Sequence, residues 1–190
     1  QEPIGASQGA PGGSKNLTAS LSPVIRAEYL PPEQLNQTLG WLKTLQPQSE
    51  LDKNIIAGAE AFLLEDYPAA EIFFEAARLV SGDDIYLPSF LAATALGADE
   101  AAGAETRYLK ALVAKSRGGL DSVDLSDDQI GLALSLLWLG RPEEARPLAE
   151  HAWRSRLRHL GATHPDTLSA ANRLAAIQVA LGNVAQAEDL

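Results

Sequence analysis

The stretch Ala57-Gly58-Ala59-Glu60-Ala61-Phe62-Leu63-Leu64-Glu65-Asp66-Tyr67-Pro68-Ala69-Ala70-Glu71-Ile72-Phe73-Phe74-Glu75-Ala76-Ala77 recurs along the chain. Ala57, Gly58, Glu65, Tyr67, Ala70, Phe74 and Ala77 lie 34 residues before Leu91, Ala92, Asp99, Ala101, Ala104, Tyr108 and Ala111. A step of 41 maps these onto Leu132, Ala133, Gly140, Pro142, Ala145, Ala149 and Ala152, and a step of 42 gives Leu174, Ala175, Gly182, Val184 and Ala187. Each unit is two short apolar-periodic runs about a turn, too small to bury its own apolar face, so neighbouring units must stack. The longer second interval is assigned to the loop around Ser116–Ser122, and the longer third to a second helix extended through Trp153 to Leu160.

Outside this core the same periodicity holds. Leu35, Leu39, Leu42 and Leu45 recur at threes and fours between Pro31-Pro32 and Pro47 and predict one amphipathic helix. Further helices are expected over 55–64, 69–80, 87–96, 101–114, 129–139, 143–160 and 167–181 and from Val184 onward, with no period-2 strand among them. The breaks are turn chemistry, as at Ser81-Gly82-Asp83 and Gly140-Arg141-Pro142. The expected class is all-α, with at least about 60% helix.

These residues resemble the tetratricopeptide repeat (TPR) family, whose helix–turn–helix unit has small residues where its helices cross and an Ala-x-x-x-Phe pair in the second helix. Ala70-x-x-x-Phe74 and Ala104-x-x-x-Tyr108 match it, as do Gly58, Ala92, Ala133 and Ala175. Leu160-Gly161-Ala162-Thr163-His164-Pro165-Asp166, followed by Ala171-Asn172-Arg173-Leu174-Ala175, is similar to the kinesin-light-chain-like subclass; there Arg173 replaces the second of two paired asparagines. The resemblance implies a right-handed α-solenoid of about four repeats preceded by an extra helix. The resemblance covers 54–190; with composition and apolar spacing it gives a flexible leader (1–22), an N-terminal segment with a capping helix (23–47) and a repeat array (48–190) whose last repeat is incomplete.

The resemblance also implies a groove lined by the first helix of each repeat. The matching positions are Asp52, Ile55, Ala59 and Phe62; Tyr86, Ser89, Ala93 and Leu96; Asp127, Ile130, Leu134 and Leu137; and Ser169, Asn172, Ala176 and Val179. Asn172 offers both a donor and an acceptor to an extended peptide. The opposing reading makes Ile55, Phe62, Ile130, Leu134 and Leu137 plain core. The paired lysines and asparagines that clamp a peptide's C-terminal carboxylate in some members are missing.

The chain of 190 residues carries 15 Lys+Arg against 25 Asp+Glu, a formal charge of −10, so general attraction to nucleic acid or anionic lipid is disfavoured. No apolar run is long enough for membrane insertion. Without cysteine there is no disulfide framework, thiolate metal site or cysteine nucleophile. Residues 1–22 are rich in Gly, Ala, Ser, Gln and Pro and read as a leader unable to offset its ordering entropy. With Met absent throughout, this composition points to export, periplasmic or extracellular, or to an excised piece. Asn16 and Asn36 head N-glycosylation patterns.

His151, His159 and His164 with Asp166 are read as caps and solvated side chains rather than a metal site, since Arg154, Arg156 and Arg158 would repel a cation. Asp121, Asp124, Asp127 and Asp128 lack calcium-loop spacing, and Ser126-Asp127-Asp128-Gln129 reads as a capping box. Gly118-Gly119 lacks the spacing of a phosphate loop, and no serine sits in a nucleophile elbow. The expectation is a non-catalytic scaffold without cofactor that holds a peptide or protein in its groove. Two alternatives stand: a structural subunit assembling head-to-tail into a filament or oligomer through Leu168, Leu174, Ile177 and Leu181 against Leu35, Leu39 and Leu42, and the interaction arm of a larger enzyme.

Overall fold

The computed structural model describes residues 14–26 and 30–189. Among the described residues there are ten helices and no strand. They are α1 (Ser14–Leu21), α2 (Pro32–Leu42), α3 (Glu50–Leu63), α4 (Tyr67–Ser81), α5 (Leu87–Gly97), α6 (Ala101–Arg117), α7 (Ser126–Trp138), α8 (Pro142–Leu160), α9 (Pro165–Ala180) and α10 (Val184–Glu188). From α3 onward each helix packs on the next, giving the pairs α3–α4, α5–α6, α7–α8 and α9–α10. The first helices also touch one another, α5 against α7 and α7 against α9. They therefore form one inner layer, with the second helices as the outer one.

Helix starts follow local chemistry. Proline occupies the first turn of α2, α4, α5, α8 and α9, where its missing N–H costs nothing. Side-chain caps come from Ser49 (3.1 Å from the Asp52 N–H), Asp66 (3.2 Å from the Ala69 N–H) and His164, whose Nδ1 accepts from the Asp166 N–H at 3.2 Å. The capping box expected at Ser126 does not form. Leu125 is the N-cap of α7, the Ser126 hydroxyl donates to the Val123 carbonyl, and Gln129 meets His151 instead. The longer second repeat interval is shared between an α6 that runs to Arg117 and the loop after it.

The turn inside each pair places the same register position in the left-handed region: Glu65 (φ 61°), Asp99 (φ 61°), Gly140 (φ 73°) and Gly182 (φ 78°). Only the last two have the residue that adopts this conformation freely. Asp99→Gly is expected to stabilise by about 0.5–1 kcal/mol by relieving that strain, read as a melting temperature higher by about 1–4 °C. An unchanged or lower value would refute the strain argument.

Among the described residues there are two core clusters and α5 contributes to both, Leu87, Phe90 and Leu91 to one and Ala92, Ala95 and Leu96 to the other; its residues Leu87 and Ser89–Leu96 are buried because it lies between two pairs. Phe74 and Phe90 pack with ring centroids 5.3 Å apart. A Cβ on Gly58 would stand 2.6 Å from the Phe74 ring, which is why a residue without one sits at that crossing. Ala145, which the repeat register aligns with Ala70 and Ala104, is fully buried as they are.

The main departure from the sequence reading is at the N-terminus. Residues 17–22 are not a loose leader: α1 packs on α3, and Leu17, Leu21, Val24 and Ile25 are buried in the same cluster as Ile55, Leu63, Phe74 and Phe90. Residues 1–13 of that expected leader lie outside the described residues.

Candidate functional site

The inner layer faces a groove, and the chain's own residues 17–26 lie in it. Leu17 and Leu21, one turn apart on α1, and Val24 and Ile25, in the turn that follows it, are buried in one cluster with residues of α3 and α5. The Thr18 hydroxyl donates to the Asp84 carboxylate at 2.7 Å, just ahead of α5. Arg26 reaches furthest. Its guanidinium donates to Asp166 Oδ1 at 2.7 Å and lies 3.5 Å from Asp127 Oδ1, so it ties the first turns of α9 and α7 together.

Behind that contact the carboxylates are pre-set. Arg156, on α8 and 1% exposed, donates to Asp127 Oδ1 at 2.5 Å, to the Ser126 hydroxyl at 3.0 Å and to the Asp166 carbonyl at 2.8 Å. Deeper still is a buried ion pair, Lys115 Nζ to Asp128 Oδ2 at 2.8 Å, with the side chains 1% and 2% exposed. The Ser89 hydroxyl donates to the same oxygen at 3.1 Å, and Lys115 stands 5.4 Å above the Tyr86 ring.

The expected groove residues therefore divide. Asp127 holds Arg26, Tyr86 and Ser89 support the buried pair, and half-buried Phe62 lines an open cavity. Ile55, Ile130 and Leu134 are core, Ile55 partly because residues 17–25 cover it. Asp52 is also buried; it accepts from the Gln48 N–H at 3.0 Å and serves the start of α3. Ser169 is half-buried and Asn172 is exposed. At the expected assembly end only Leu168 is exposed. Leu174 and Ile177 are buried against α7 and α8, and Leu181 packs at their edge, so Leu174 and Ile177 are core positions rather than an assembly face. Leu35, Leu39 and Leu42, the face expected to receive the next copy, pack on the chain's own first pair. Asn36 is exposed on α2, whereas the side chain of Asn16 lies outside the described residues.

Sequence reasoning missed Arg26, Lys115, Asp128 and Arg156 as parts of this groove. The apolar spacing of Leu17, Leu21, Val24 and Ile25 is the available signal for the segment.

Alongside the segment a cavity of about 560 Å³ remains, lined by Val24, Leu30, Leu35, Phe62, Trp138 and Arg173 among others. Trp138 is 54% exposed there, and the buried Arg173 Nε has no hydrogen-bond partner. No cluster of three or more metal-ligating side chains occurs among the described residues. Their helices include none long and apolar enough to cross a membrane.

Burial works against the charge of Asp166 and would raise its pKa. The hydrogen bond from Arg26 and the charges of Arg26, Arg156 and His164 outweigh it and hold the carboxyl below the ordinary 3.8. A folded pKa below the unfolded one adds stability above the ordinary value, and that stability is lost as pH falls through the folded value. Acidification from pH 6 to about pH 3 is thus expected to loosen residues 17–26 first, read as faster amide exchange there than in α7 or α9. In Asp166→Asn the pH dependence should flatten; exchange that rises equally in both variants would disconnect Asp166 from the segment.

These features define a helical-repeat solenoid with a lined inner groove. Residues 129–190 match the family model of the tetratricopeptide repeat, and the stacked pairs share the fold of solved TPR-like repeat structures. No curated protein matches the chain in sequence. Among solved structures, BtubC (BKLC) from P. vanneervenii is similar at 20% identity and TM-score 0.63, over 93% of this chain and 74% of that one. A single-residue variant of a kinesin-light-chain-like protein of Podosopora anserina, with nearly identical TPR-like repeats, is similar at 16% identity and TM-score 0.61, over 93% and 88%. A second structure of those repeats gives 17% and 0.58, over 93% and 89%. At these identities the likeness is one of fold.

Proposed function

We propose that the chain is a non-catalytic scaffold that holds an extended segment of another protein in the groove along α3, α5, α7 and α9. The observation that carries this reading is that the groove already holds a segment: four apolar side chains and one arginine of residues 17–26 are seated there, beside a cavity that stays open. Stacked repeats give a rigid concave surface suited to such ligands. The test is selection of a displayed random-peptide library on the full chain. Enriched peptides are expected to lose at least about tenfold in affinity, roughly 1.4 kcal/mol, to Trp138→Glu, a change at a 54% exposed cavity wall whose melting temperature is measured alongside and expected to stay in place. Peptides indifferent to Trp138→Glu, or no enrichment, would remove the groove from this role.

A second reading is assembly of copies through α9 and α10, supported by the exposed Leu168, Val179 and Val184. Sedimentation velocity at rising concentration decides it: association is the expected sign, and one monomeric species throughout excludes it.

A further inference from the structure

The segment in the groove shows what chemistry the groove accepts. Its recognition has two parts, an apolar floor under Leu17, Leu21, Val24 and Ile25 and a cation seat at Asp127 and Asp166. The seat is built by helices distant in sequence, Arg26 and Asp166 being 140 positions apart. Arg156 fixes the Asp127 carboxylate and the Asp166 backbone before any ligand arrives. With Arg26 withdrawn, the seat would hold two carboxylates against the Arg156 guanidinium, with the His164 ring 3.8 Å from Asp166, and it keeps a net negative charge while that ring is uncharged. Such a pair takes a guanidinium through charge-assisted hydrogen bonds and repels an acidic group.

We infer that the partner segment is apolar and carries an arginine or lysine at the Asp127–Asp166 seat, and that residues 17–26 occupy this place until the partner exchanges with them. The inference rests on the groove reading above and names the ligand of that same site. Two observations favour exchange over a permanent structural role. The helical part of the segment is eight residues long, too short to persist without its packing. The seated segment also fills the groove incompletely: the cavity between Val24 and Trp138 is open, and Arg173, whose buried Nε has no hydrogen-bond partner, is one of its lining residues. A partner with bulkier apolar side chains and a carbonyl or carboxylate for Arg173 would gain contacts that residues 17–26 do not make. That gain is what must outweigh the high effective concentration of a tethered competitor.

The experiment uses the full chain and two dye-labelled peptides followed by fluorescence anisotropy. One has the sequence of residues 17–26, Leu-Thr-Ala-Ser-Leu-Ser-Pro-Val-Ile-Arg, and the other has glutamate in its last position. In Arg26→Glu and in the milder Arg26→Ala the resident segment is weakened while the seat stays intact, and circular dichroism melts check that both variants fold. Both are expected to bind the arginine peptide at least about tenfold tighter than the wild type, through loss of the tethered competitor. Arg26→Ala is expected to bind the glutamate peptide at least about tenfold more weakly than the arginine peptide, and Arg26→Ala/Asp127→Asn/Asp166→Asn should abolish that preference. Equal binding of the two peptides to Arg26→Ala, or a wild type that binds as tightly as the variants, overturns the inference. Library selection on Arg26→Ala separates the failures. Groove-dependent peptides without a basic residue sink the cation seat and leave the scaffold reading standing, whereas no groove-dependent peptide at all sinks both.

Discussion

Lys115→Met is expected to destabilise the chain by about 3–5 kcal/mol, because removing one member of a buried ion pair strands the other. The Lys115 ammonium and the Asp128 carboxylate are 2.8 Å apart with side chains 1% and 2% exposed, so neither is exchanged for water at low cost. Methionine fills the volume of the lysine stem but supplies no charge. The carboxylate then keeps the hydroxyl of Ser89 and the positive end of α7 as compensation, less than an ammonium at contact provides. For a chain of this size that is a fall in melting temperature of roughly 6–20 °C. Lys115→Met combined with Asp128→Leu should recover most of the loss, since a buried pair replaced by apolar groups is often close to neutral. A single variant that melts within a degree of the wild type, or a double variant no better than the single one, would show that the pair is not desolvated.

The repeat array is legible because its signals are local. Small residues, the turn position at 65, 99, 140 and 182 and the prolines that open α4, α5, α8 and α9 each act within a few residues of where they stand. Expected boundaries are accordingly close, and the tetratricopeptide resemblance is carried by those same residues. The N-terminal segment is not legible in the same way. Its four apolar residues sit among Gly, Ser and Pro, and Pro23 follows α1, so composition reads as disorder and masks the helical spacing of Leu17, Leu21, Val24 and Ile25. Nothing local to Arg26 announces Asp166; the pairing exists only once the array curves to bring α7 and α9 to the same groove.

This explains the mixed outcome for the groove positions. The repeat register identifies the inner helices, yet a side chain on an inner helix can face the groove, the neighbouring pair or the chain's own covering segment. Ile55 and Leu134 meet packed neighbours, Phe62 meets open space, and Asp127 meets an arginine of the same chain. Sequence spacing cannot separate these outcomes because all of them share one helical face.

Gly131→Ala is expected to be the most damaging small substitution in the inner layer. A Cβ at this position of α7 would stand 2.2 Å from Cζ and 2.5 Å from the hydroxyl oxygen of Tyr108, itself only 2% exposed on α6. The ring has no exposed side to swing toward, so either α7 moves off α6 or Tyr108 leaves its rotamer, and overpacking of this kind costs about 1–3 kcal/mol. The diagnostic is coupling. Tyr108→Leu alone loses buried contacts, but in the Gly131→Ala background it also relieves the clash, so the double variant should be more stable than the sum of the singles by at least about 0.5 kcal/mol. Gly103→Ala, on α6, supplies the contrast. Its Cβ would meet nothing nearer than Glu100 at 3.6 Å, and in the first turn of α6 the loss of glycine's unfolded-state entropy then stabilises by roughly 0.5–1 kcal/mol. If Gly131→Ala and Gly103→Ala shift the melting temperature in the same direction, or the Gly131–Tyr108 double variant is additive, α7 does not rest on Tyr108 at this glycine and the close approach of inner and outer helices has another cause.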